Sequence, residues 1–256
     1  MDAPIGVFDS GVGGLSVLRA LRAELPHEDF VYFADAGHAP YGERGEGYVI
    51  ERTRAIIDTL VTRHRVKAVV LACNTATAAA IHLMRAENPG LLLVGVEPAL
   101  KPAAALSRTR RIGVLGTRGT LGSAKVRNLH DSLRGDAEFV FQPCDGLADA
   151  IQRDDATQVA ALCARYLGAM GAFGTREGQI DTLVLGCTHY PFAQAQMQPH
   201  VGDGVRMIET GEPVARQARR LLQAAGGLRD RTEPGQVQLL SSGPLAELQA
   251  AAARWL

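Results

Sequence analysis

Short apolar, β-rich runs alternate along the chain with stretches of helical character. The runs IGVF (Ile5–Phe8), FVYFA (Phe30–Ala34), KAVVLA (Lys67–Ala72), LLLVGV (Leu91–Val96), RIGVLG (Arg111–Gly116), EFVF (Glu138–Phe141), TLVLG (Thr182–Gly186) and VRMIE (Val205–Glu209) predict strands. Helices are predicted over Gly14–Glu24, Glu46–His64, Thr75–Ala86, Leu121–Leu133, Thr157–Met170 and Glu212–Ala225. Strands that alternate with helices predict parallel sheets covered by helices on both faces. Ligands of such sheets bind beyond the carboxyl ends of the strands. Polar and reactive residues stand at four of these ends: Asp9 and Ser10, Cys73, Thr117, and Cys187.

The pattern also repeats. IGVFDSGVGGLSVLRAL begins at Ile5 and IGVLGTRGTLGSAKVRNL at Ile112, an offset of 107. VVLACNTAT holds Cys73 and LVLGCTHYP holds Cys187, an offset of 114. Two landmarks in nearly the same register predict two related α/β domains, with Ser10 matching Thr117 and Cys73 matching Cys187. A pseudo-two-fold arrangement would bring both cysteine tips into one cleft. The expected division is residues 1–97 with 210–256 as the first domain and 98–209 as the second, because the second half is complete before the C-terminal stretch.

Composition narrows the function. The chain has 256 residues, 46% of them apolar, enough for a full core. Lys+Arg and Asp+Glu are both 27, so the formal net charge is zero. That balance offers no footprint for nucleic acid or an anionic membrane, and RTRR (Arg108–Arg111) reads as a solvated connector. No apolar run approaches the ~20 residues that span a bilayer, and MDAPIGVFDSG does not read as a signal peptide. With four cysteines (Cys73, Cys144, Cys163, Cys187), the plain reading is a cytosolic protein with reduced thiols.

A cysteine after a buried strand is often a small apolar core residue, and Cys144 and Cys163 are read that way. Cys73 and Cys187 have more telling neighbours. Asn74 and Thr75 follow Cys73 and open a helix, whose N-terminal field favours a thiolate. Thr188 and His189 follow Cys187, and an imidazole two residues on can take or give a proton. Zinc-type cysteine pairs and a C-x-x-C redox motif are both missing, though two distant cysteines still permit a regulatory disulfide. The glycines of DSGVGGLS fit neither the G-x-G-x-x-G nor the P-loop spacing. Two thiols facing each other across a cleft suit inversion of a stereocentre, one removing a proton and the other returning one to the opposite face. Ser10, Tyr41, Asn74, Thr75, Thr117, Thr120 and Thr188 supply polar donors for a substrate's carboxylates.

The motifs FDSGVGGLSVL, YFADAGHAPYG, LACNTAT, GVEPA, LGTRGT and LGCTHYPF resemble the cofactor-independent glutamate racemases of the aspartate/glutamate racemase superfamily. The resemblance runs from Ile5 to about Phe192, with a weaker ETGEPVAR beyond. It implies two α/β domains with the active site between them, no cofactor and no metal. It implies L- and D-glutamate interconversion for peptidoglycan precursors, in a cytoplasmic enzyme that is commonly a homodimer. Carried over, Cys73 and Cys187 are the acid/bases, Cys73 acting on the D-enantiomer and Cys187 on the L-enantiomer. Asp9 assists Cys73 and His189 assists Cys187. Asp9, Ser10, Tyr41, Gly42, Asn74, Thr75, Thr188 and His189 hold the substrate, with Thr117 and Thr120 on the second side. Asp35 matches a further carboxylate and is read as structural. One departure concerns chemistry: Gln152 stands where the family often has Glu near the histidine. Glu209–Thr210 also departs from the pattern, as a domain-crossing feature. The alternatives in view are a racemase of another acidic amino acid such as aspartate, a two-lobed binding protein, and a redox-regulated interaction protein.

Overall fold

Nine strands and eleven α-helices are described over residues 2–256 of a computed structural model. The chain opens with β1 (Ile5–Asp9), α1 (Leu15–Glu24), β2 (Phe30–Ala34), α2 (Glu46–His64), β3 (Ala68–Leu71), α3 (Asn74–Glu87) and β4 (Leu92–Gly95). It continues through α4 (Leu100–Leu106), β5 (Arg111–Gly116), α5 (Arg118–Leu121), α6 (Ala124–Asp131), β6 (Glu138–Pro143), α7 (Leu147–Gln152), α8 (Ala156–Gly168), β7 (Thr182–Gly186), α9 (Gln194–Val201) and β8 (Arg206–Ile208). It ends with α10 (Gly211–Ala224), β9 (Val237–Ser241) and α11 (Leu245–Trp255). Contacts divide these elements into two units: residues up to Val96 together with Gly211–Leu256, and Glu97–Thr210.

The first unit holds a sheet of order β4-β3-β1-β2-β9, and the second a sheet of order β6-β5-β7-β8. Every pairing in both is parallel. With β9 set aside, replacing β1 to β4 by β5 to β8 turns the first order into the second read from its other edge, so the sequence repeat is a repeat of topology. The central strands β1, β3 and β7 are buried along their whole length, as parallel strands covered by helices must be. Phe8, Ile56, Ile57, Leu60, Val69 and Leu71 form the core on one side of the first sheet. In the second unit Leu100, Ile112, Val114, Leu133 and Val184 do the same.

Two expectations change. The helix expected over Leu121–Leu133 is broken into α5 and α6. Ser123 caps α6 by accepting from the backbone N–H of Val126 at 3.2 Å, and a capping hydroxyl favours a new start over continuation. The stretch after Ala225, left without elements by its pattern, supplies β9 and α11. β9 pairs with β2 from Phe30↔Val237 to Ala34↔Ser241. Asp29, beside this junction, accepts from Arg229, Arg231 and the Gln236 backbone. Burial pushes its pKa up, but those hydrogen bonds outweigh it and hold the carboxyl at about 2.

Gly186 ends β7 immediately before Cys187. A Cβ there would lie 2.5 Å from the Leu115 carbonyl oxygen of β5, a backbone atom that cannot swing aside. Gly186→Ala should therefore cost about 1–3 kcal/mol, whereas Gly47→Ala, at an exposed position of α2 with open space around it, should be neutral or slightly stabilising. Urea denaturation of the two variants checks this; equal midpoints would show that the sheet gives way at Gly186.

Candidate active site

Each sheet reverses its direction of growth between two neighbouring strands: β1 and β3 in the first unit, β5 and β7 in the second. At such a point the loops leaving the carboxyl ends diverge and open a crevice. The crevice residues of the first unit come from β1 and β3. Asp9 ends β1, and its Oδ1 accepts from the Gly11 backbone N–H at 2.8 Å, so it does shape the following turn. Cys73 is the N-cap of α3, its sulfur accepting from the Ala76 N–H at 3.4 Å. The Cys73 thiol donates to Ser10 Oγ at 3.7 Å.

The helix terminus does favour a thiolate at Cys73, through the Ala76 N–H, but other influences outweigh it. Burial is the largest influence and the Asp9 carboxylate the next, and together they push the thiol up to about 12. The hydrogen bonds from Ala76 and Ser10 pull the other way and lose. Cys73 is thus a protonated thiol at neutral pH. Beside it, Asn74 is 3% exposed, and neither its side-chain nitrogen nor its oxygen has a protein partner. Two orphaned polar atoms at one buried side chain carry a real cost. Thr75 is buried alongside.

Tyr41 and Gly42 lie in a 3-10 turn, Tyr41–Glu43. The buried Tyr41 hydroxyl donates to Asp35 Oδ2 at 2.5 Å. Arg52, on α2, donates to both oxygens of Asp35 at 3.0 and 2.8 Å, and His38 Nδ1 lies 3.1 Å from Oδ1. Burial would raise the Asp35 pKa, but Arg52, Tyr41 and Ser242 hold it below its usual value. Asp35 is therefore the anchor of the loop that carries Tyr41. Arg52 belongs to the same anchor and is missing from the sequence reading, since it lies mid-helix in no motif.

In the second unit Thr117 follows β5 and caps α5, its Oγ1 accepting from the Thr120 N–H at 3.2 Å and donating to Thr120 Oγ1 at 2.9 Å. Cys187 follows β7, buried, with Thr188 and His189 buried beside it. The sulfur lies 3.8 Å from His189 Nδ1, and His189 Nε2 lies 3.0 Å from Gln152 Oε1. Burial drives the imidazole down to about 4, so it is neutral at pH 7. Arg118 is exposed and pairs with Asp145 at 2.5 Å. Cys144 and Cys163 are buried thiols raised by burial to about 12 and about 11, with Cys144 donating to the Gln142 carbonyl at 3.3 Å. Among the described residues no group of three or more His, Cys, Asp or Glu is placed to hold a metal ion. No helix among them is long and apolar enough to cross a membrane.

The model of the Asp/Glu/hydantoin racemases matches residues 6–218. The chain belongs to that family. A glutamate racemase of Methylococcus capsulatus is 48% identical over 243 residues, 94% of this chain and 87% of the relative. The solved glutamate racemase isoform RacE1 of Bacillus anthracis superposes with a TM-score of 0.86 at 30% identity, covering 99% of this chain and 93% of that one. The Escherichia coli glutamate racemase, solved with L-glutamate and the activator UDP-MurNAc-ala, gives 0.82 at 28% identity, covering 99% and 95%. Both thiols of this racemase-family chain thus stand at matching strand ends, one held protonated by burial and one beside a neutral imidazole.

The depressed histidine has a consequence for stability. Between pH 6.5 and about 4 the unfolded chain takes up a proton at His189 that the folded chain does not. Stability should therefore fall as pH drops through that window, by up to about 3 kcal/mol from this residue. His189→Gln should flatten the slope of the urea midpoint between pH 7 and pH 4.5; an unchanged slope would place the loss elsewhere.

Proposed function

We propose that this chain interconverts L- and D-glutamate by a two-base mechanism, with Cys73 and Cys187 as acid and base on opposite faces of the α-carbon. The observation that carries the reading is the pair of buried thiols at equivalent strand ends of a duplicated sheet, each with its own proton partner. Relatives named glutamate racemase support the choice of substrate.

From L-glutamate, the Cys187 thiolate removes the α-proton, and the resulting carbanion is spread into the α-carboxylate. The Cys73 thiol gives its proton to the opposite face, leaving D-glutamate, a Cys73 thiolate and a Cys187 thiol. From D-glutamate the roles exchange. Cys73 as a raised, protonated thiol is the right starting acid for the first direction. Asp9 and His189 assist the two sulfurs. Asn74 offers its amide to the substrate, in company with Ser10, Thr75, Tyr41 and Gly42, while Thr117, Thr120, Thr188 and His189 serve the other side. Carboxylates are then held by hydroxyls, amides and backbone N–H groups. On this reading the enzyme works in the cytoplasm as a homodimer, and its D-glutamate enters peptidoglycan precursors.

Purified protein, dialysed against chelator and without pyridoxal phosphate, should racemise L-glutamate by circular dichroism and leave L-aspartate unchanged. Faster turnover of aspartate would transfer the assignment to that substrate, and a strict requirement for either additive would end the cofactor-free mechanism. Cys73→Ser and Cys187→Ser should each lower racemisation by about 10²–10⁴-fold or more, because a serine hydroxyl is too weak an acid to provide the anion. Elimination from a glutamate carrying a leaving group at Cβ needs one base only. Cys73→Ser should retain it for the L-configured analogue and Cys187→Ser for the D-configured one. If one variant loses both configurations while the other stays a full racemase, a single base does the work.

A further inference from the structure

His189 sits between two side chains of different kinds. One ring nitrogen faces the Cys187 sulfur at 3.8 Å, the other the Gln152 side-chain oxygen at 3.0 Å. An amide oxygen accepts hydrogen bonds and never donates one, so the nitrogen facing it must carry the ring proton. In a neutral ring the other nitrogen is then a bare acceptor. We propose that Gln152 is a positioning residue that fixes His189 as the Nε2–H tautomer, so that Nδ1 faces Cys187 as a proton acceptor. The inference rests on the two-base reading of Cys187.

Gln152 is placed for this by α7, whose last residue it is, with Leu147, Ala150 and Ile151 buried on the inner side. The turn that follows His189 packs against α7, α9 and β7. Titratable groups on those elements are few: Asp149 on α7 is ion-paired with Arg153 at 3.0 Å, His200 on α9 is exposed, and β7 has none. The remaining neighbours in this region are Tyr190, whose hydroxyl donates to the Cys144 carbonyl at 3.5 Å, together with Cys144 and Tyr166. Gln152 thus supplies a dipole where a carboxylate would supply a charge. A dipole selects the tautomer without stabilising the imidazolium. The proton step balances within the pair: the S–H bond of Cys187 breaks, an Nδ1–H bond forms, thiolate and imidazolium result, and His189 keeps its Nε2 proton, donated to the Gln152 oxygen, throughout. The proton returns to sulfur, or is replaced there by the substrate's, in the reverse direction.

The test is long-range ¹H–¹⁵N NMR of histidine-labelled protein, wild type and Gln152→Glu, titrated from pH 8 to pH 4.5. Wild type should show His189 as the Nε2–H tautomer, neutral over most of that range. Gln152→Glu should raise its titration by at least about one pH unit, and should move the acid limb of kcat/KM for L-glutamate with it while KM stays within about twofold. An Nδ1–H tautomer in the wild type, or an unmoved titration in the variant, would overturn the proposal. The wild-type spectrum needs no variant to fold and no turnover to be read. Correct tautomer with no racemisation would leave the positioning role standing and overturn the two-base reading instead.

Discussion

In a parallel pair both strands finish at the same edge of the sheet, and this constraint underlies the rest of the molecule. The pairing of Phe8 with Leu71 makes the chain leave β1 and β3 side by side, so Asp9 and Ser10 come to rest next to Cys73. The pairing of Gly116 with Gly186 does the same for Thr117 and Cys187. The small residue ahead of each cysteine follows from the same closeness. At Gly186 the neighbouring backbone leaves no room for a methyl group. The chemistry of both sites is therefore set by register, and a slip of one residue would turn each sulfur to the other face of its sheet.

The two crevices then diverge electrically although their frames match. In the first, burial and an adjacent carboxylate keep the thiol protonated, and a helix N-terminus does not reverse that. In the second, burial keeps an imidazole unprotonated beside the sulfur. Both effects come from the removal of water, which disfavours whichever form is charged. Burial therefore disfavours charge on the Cys73 thiol and on the His189 imidazole alike.

The fold class was legible because buried parallel strands are continuous apolar runs, and all eight runs read from the sequence are strands. β9 escaped because VQLLS, part-exposed at the sheet margin, is neither a continuous apolar run nor a clean alternation. α9 escaped for another reason: Pro199 sits inside it, and proline speaks against a helix. At the site, residues on strand ends could be read, since chain order alone puts them there. The pairing of Arg52 with Asp35 could not. It joins residues 17 positions apart through tertiary packing, which leaves no local mark, whereas Gln152 came into view beside His189 only through the family resemblance.

The placement of β9 also bears on how the chain reaches its native state. β2 acquires its outer neighbour only from residues 237–241, on the far side of the whole second unit. The second unit is contiguous and made mostly of neighbouring strand–helix pairs, so every segment it needs has been synthesised by Thr210. The first unit must hold an open sheet margin until residues 237–241 leave the ribosome. An unpaired strand edge is a template for intermolecular association. The order of synthesis thus leaves β2 open to misassembly until β9 arrives, when the ion pairs of Asp29 with Arg229 and Arg231 fasten the junction.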